Sequence, residues 1–147
     1  MRTASWVLLA VVAVLMLLGG IASTYTAYSG AEDNLLPGGP TVQDLETMSP
    51  GLATALRGRR ATAAAFALAY GVLLLSVAVV PYRRGDVWAW WAILAASLTL
   101  GLVIMARVPL LGTRLGAATG LVQLGVVVLA LLLDVRRLRP AGASAGR

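Results

Sequence analysis

The side chains able to do chemistry are few: six carboxylates, twelve arginines, and no histidine, cysteine or lysine. Without thiols or imidazoles there is no disulfide, no thiol redox couple, no Cys/His zinc site and no His-ligated haem. Metal binding would rest on Glu32, Asp33, Asp44, Glu46, Asp86 and Asp134, and none of these lies inside a long apolar stretch. Ser76 and Ser97 have no general base beside them in sequence, so neither reads as a nucleophile. The expectation is a chain with no catalytic residue, no metal site and no cofactor.

Three polar residues stand out instead by their depth. Tyr70, Ser97 and Gln123 each fall near the midpoint of a long uncharged window. In hydrocarbon, such groups seek internal partners, so the spacing predicts a layer of interhelical hydrogen bonds or, alternatively, a small polar cavity for a ligand, ion or water. None of the three titrates near neutral pH, and no carboxylate shares their depth, which argues against proton-coupled transport.

Gly112, Gly116 and Gly120 recur every fourth residue and would form one stripe of a helix, with Thr119 and Gln123 on the same face. Glycines so spaced let a neighbouring backbone approach closely, within one chain or between two copies. Small-residue stripes also occur at Gly19, Ser23 and Ala27, at Ala61, Ala65 and Ala69, and at Ser97 and Gly101. A third pattern joins Arg83 and Arg84 to Trp88, Trp90 and Trp91, guanidinium groups beside indoles, which suits a membrane interface and contact with lipid headgroups.

The elements that must position these residues follow from the charges. Four windows lack them: Thr3 to Ala31, Ala61 to Tyr82, Val87 to Ala106, and Leu115 to Leu133. About 20 residues at about 1.5 Å each cross a hydrocarbon core of roughly 30 Å, so each window predicts a span. With 59% hydrophobic and 12% charged residues, the chain reads as an all-α integral membrane protein, a compact bundle of four transmembrane helices. The helices are expected at about 4–28, 50–80, 87–107 and 112–135, with a longer extracytoplasmic loop at 29–49 and a disordered tail at 141–147. The first window also admits a cleaved signal peptide, with Arg2 before the apolar run and Gly20, Ile21 and Ala22 at the cut.

Within the loop, Thr41 and Asp44 have capping-box spacing, and Ser49 with Pro50 reads as a cap and first helical position. A polar connection of this length is the best candidate for a recognition surface. Pro81 should stop the second long helix, Gly85 should supply a turn, and Asp86 should cap the third.

With both termini cytoplasmic, Arg2, Arg83, Arg84, Arg136, Arg137, Arg139 and Arg147 lie inside, and Arg57, Arg59, Arg60, Arg107 and Arg114 lie outside. That majority sets the expected orientation in a plasma membrane, with the loop acids compensating the outer arginines. The net charge of +6 is spread over window ends, so nucleic acid is not an expected partner.

The leading functional expectation is a non-catalytic accessory, assembly or lipid-contacting subunit of a bacterial-type inner membrane. Its expected partners are membrane lipids and another membrane protein or further copies of itself. A second reading is a small carrier or channel built on Tyr70, Ser97 and Gln123. A third, a lipid-modifying enzyme, would need carboxylates to meet over the membrane surface, for instance Asp44 and Glu46 near Arg107.

Overall fold

The computed structural model describes residues 2–29, 41–112 and 117–138. Among them the chain is helical, without strands: α1 (Arg2–Ser29), α2 (Val42–Met48), α3 (Pro50–Val77), α4 (Val87–Leu111) and α5 (Ala117–Leu133). A π-helical turn, Ala78–Tyr82, extends α3, and a 3-10 turn, Val135–Leu138, follows α5.

Three helical segments are long and apolar enough to cross a membrane: Ala4–Ser29, Pro50–Tyr82 and Val87–Leu110. The fourth expected span, α5, has 17 residues in the described region, at the short end of what a bilayer needs. Large apolar side chains such as Leu15, Leu18, Leu73, Leu102 and Val122 face outward on these helices. In water that would be costly, whereas against lipid it removes no hydrophobic drive.

The local sequence explains the breaks. Thr41 and Asp44 form the capping box of α2: the Asp44 N–H donates to Thr41 Oγ1 at 3.1 Å and the Thr41 N–H to Asp44 Oδ2 at 2.8 Å. Pro50 opens α3, where its missing N–H costs nothing, and the Ser49 carbonyl accepts from Leu52 and Ala53.

Pro81 does not stop the helix as expected. Proline has no N–H to donate, and in a regular helix its ring presses on the carbonyl four residues back. Here the turn widens: the Arg83 N–H reaches back five residues to the Ala78 carbonyl, so the chain stays helical through Tyr82. Gly85 then takes a positive φ of 106°, which glycine adopts without a Cβ penalty. Asp86 occupies the cap position of α4, but its side chain makes no capping hydrogen bond, contrary to expectation.

Two further expectations change at the end of α4. The helix runs past Arg107 and through Pro109 to Leu111, because a proline in the last turn forfeits only one bond. Gly112 does not begin the next helix. It is the left-handed C-cap of α4, with φ 64° and its N–H on the Val108 carbonyl at 3.1 Å. Gly116, most of the loop between α1 and α2, and the tail at 141–147 lie outside the described residues.

The chain divides into two compact units, residues 1–13 with 73–147, and residues 14–72. In the first, Leu9, Tyr82, Val127 and Leu131 are among the largest buried side chains. In the second, Ala27, Val42, Ala53 and Ala64 are buried. A Cβ built on Gly20 there would lie 2.8 Å from Leu68, so that glycine marks a close helix approach between α1 and α3.

Candidate functional site

In the first unit, polar groups from α1, the π turn, α4 and α5 meet around the C-terminal turn of α5. The last carbonyls of a helix lack the regular i+4 partner and need others when water is excluded; the Leu131 carbonyl accepts from the Asp134 N–H at 3.1 Å. The Ser5 hydroxyl donates to the Ala130 carbonyl at 2.7 Å, and the Trp90 indole N–H donates to the Leu131 carbonyl at 3.0 Å. Because Ser5 spends its one proton on Ala130, the Tyr82 hydroxyl is the donor in the short bond between Tyr82 and Ser5. Ser5, Tyr82 and Ala130 are all fully buried, and Asp134, one turn beyond Ala130, is buried as well. Side chains from α1 and α4 thus cap α5, and Tyr82 of the π turn holds Ser5.

The π turn bears on this site. It adds a residue to one turn of the helix and so shifts the angular position of everything after it. Tyr82, which would otherwise be the first residue of a link, is carried inward as a helical residue.

Of the arginine and tryptophan set, Arg83, Arg84, Trp88 and Trp91 are exposed at the helix ends, as headgroup contact requires. Trp90 is turned inward, only 6% exposed, and is removed from that set. Its N–H needs an acceptor, and it finds one in the α5 terminus. Trp90 also meets Trp91 edge to face, with centroids 4.9 Å apart. Arg83 stacks on the Trp6 ring at 5.1 Å, an α1 residue, and a cation over an indole face is favourable.

Ser97 and Gln123 do come together. They line one cavity between α4 and α5 with Leu100, Gly101, Ile104, Gly120, Leu124 and Val127. Its volume of about 10 Å³ is at the lower limit for a single water. Tyr70 is half-buried and belongs to the other unit. Gly120 faces α4: a Cβ there would stand 2.9 Å from the Ile104 side chain. Gly101 plays the reciprocal part on α4, with Leu124 at 2.7 Å from its would-be Cβ.

The second unit carries the exposed polar chemistry. Glu46 on α2 and Arg57 on α3 form a two-pronged ion pair, with Arg57 nitrogens donating at 3.1 and 2.9 Å. The Arg60 Nε donates to Ser23 on α1 at 3.2 Å. Hydrogen bonds from the Thr41 backbone N–H and hydroxyl hold the Asp44 carboxyl below the usual carboxylate range. Asp44 is thus engaged by Thr41 and Glu46 by Arg57.

Sequence reasoning missed Ser5, Tyr82, Trp90 and Asp134 as a group. The available signal was position: all four stand at window ends that an alternating up-down order of spans places on one side. Among the described residues no three His, Cys, Asp or Glu side chains are grouped so as to hold a metal ion. No family model, no curated protein and no solved structure matches the chain.

Proposed function

We propose that the protein is a non-catalytic membrane subunit that docks a partner through the α2 segment, with both termini cytoplasmic, α2 on the outer side, and α5 as a fourth span. The observation that carries this reading is the organisation of α2. A helix of only 7 residues is not stable by itself, yet this one is boxed at its start by Thr41 and Asp44 and pinned to α3 by Glu46 and Arg57. A segment fixed in this way loses little conformational freedom when a partner binds it. At its end Met48 is 80% exposed, a flexible apolar side chain of the kind that adapts to partner surfaces.

The small volume beside Ser97 and Gln123 favours an interhelical packing role for that pair over a solute path. The arginine majority at the ends assigned to the cytoplasm supports the orientation.

A photoreactive amino acid at Met48, activated in native membranes, should give one discrete protein adduct. Glu46→Arg, which turns the pair with Arg57 into a repulsion, should lose it. Adducts confined to lipid, or an adduct indifferent to Glu46→Arg, would sink the docking role. Single cysteines at Ser49 and Ser144 should react with an impermeant reagent from outside only at position 49.

A further inference from the structure

The second unit holds an open trough of about 520 Å³ between the C-terminal part of α1 and the first half of α3. It is lined by the small residues Gly58, Ala61 and Ala65, with Tyr28, Phe66 and Arg57 beside them. Tyr28 and Phe66 are 78% and 72% exposed, so the rings stand beside the trough without filling it. The α3 residues that line it run from Thr54 to Phe66. From Arg57 to Phe66 there are nine helical steps of about 1.5 Å, about 13 Å, a little under half of the roughly 30 Å hydrocarbon core.

A surface cation with small and apolar residues below it to nearly a leaflet's depth suits a single phospholipid. Arg57 lies near the α2 end, and the other residues that line the trough are uncharged. Thr54 and Thr62 bond the carbonyls of Pro50 and Gly58 on their own helix, so their hydroxyls do not compete for a ligand. Arg57 gives two donors to Glu46, and a guanidinium has more than two. It can therefore keep that pair and accept a phosphate as well. Arg59, exposed two residues away, adds positive field at the same level.

We infer that this trough holds one phospholipid with an anionic headgroup, an acyl chain lying along Gly58, Ala61 and Ala65 and the phosphate at Arg57. The site rests on α1 and α3 being spans. It does not require a protein partner at α2, although a lipid bound there would contact the same Arg57 that holds α2 in place.

Gly58 supplies the test, because a Cβ built on it meets nothing within 4 Å. Gly58→Leu should therefore fold while filling the trough. The purified protein in mild detergent would be titrated with phosphatidylglycerol and, in parallel, phosphatidylcholine, and bound lipid counted by native mass spectrometry. Wild type should retain one phosphatidylglycerol per chain in preference to phosphatidylcholine. Gly58→Leu should weaken that binding about tenfold at unchanged melting temperature, and Arg57→Gln should abolish the headgroup preference. Gly125→Leu, equally open but in the other unit, should leave binding unchanged. The inference is overturned if Gly58→Leu binds as wild type does, if Gly125→Leu loses as much, or if the wild type shows no preference. Each of these outcomes would leave the assignment of spans, and partner docking at Met48, standing.

Discussion

Two polar clusters of similar size do opposite work. Around the end of α5, Ser5 and Trp90 are buried and aimed at backbone carbonyls of another helix, and the buried Tyr82 hydroxyl bonds Ser5. Around α2, Thr41, Asp44, Glu46 and Arg57 are exposed or half-exposed and aimed at one another. The first cluster satisfies groups that have no water to turn to, so removing a member costs a bond that solvent does not replace. Members of the second can fall back on solvent, so each bond contributes little to stability, and what it sets is the placing of a surface. The difference teaches that, in this chain, buried polarity is a packing device and exposed polarity is the part available for recognition.

The comparison breaks first at helix packing if the buried side is not tightly determined. Gly120→Leu must displace Ile104, whose branched Cβ leaves it little freedom, and should cost about 1–3 kcal/mol as overpacking does. Gly125→Leu meets open space and should be near neutral. Thermal unfolding in detergent separates the two, and equal effects would deny Gly120 a packing role.

A smaller loss is expected at the buried hydroxyl. Ser5→Ala removes the donor to Ala130 and the acceptor for Tyr82 together, and interhelical bonds of this kind are worth about 0.6 to 1.7 kcal/mol. Denaturant titration should show that loss in Ser5→Ala. Indifference would mean that the α5 carbonyl finds another donor.

The smallest effect is expected at Asp44. Its folded pKa is lowered by the backbone and hydroxyl of Thr41, so its contribution is present above the unfolded carboxylate value and is lost as pH falls through the lowered one. Carbon-detected NMR titration should place Asp44 below an ordinary aspartate, and Thr41→Ala should move it back up. A value that Thr41→Ala does not change would remove the capping box as the cause.

The three helices long and apolar enough to cross a membrane were readable because charge is absent over whole windows, a signal that needs no knowledge of neighbours. The capping box at Thr41 and Asp44 and the helix start at Pro50 were equally local. What escaped was which way a side chain turns. A helix that is apolar nearly all round does not mark its inner face, so Trp90 and Trp91 look alike in sequence, although one is buried and the other exposed. Tyr82 escaped for another reason. Pro81 reads as a terminator, and only the widened turn shows that the helix continues past it.

The central claim is that buried polar residues hold the fold while the α2 surface meets the partner. It is tested most directly by affinity recovery in mild detergent from cells expressing wild type, Gln123→Leu or Glu46→Arg. The account predicts that Gln123→Leu brings down the same partner as wild type, whereas Glu46→Arg, equally folded by circular dichroism, loses it. Loss of the partner with folded Gln123→Leu, together with its retention by Glu46→Arg, would contradict the account.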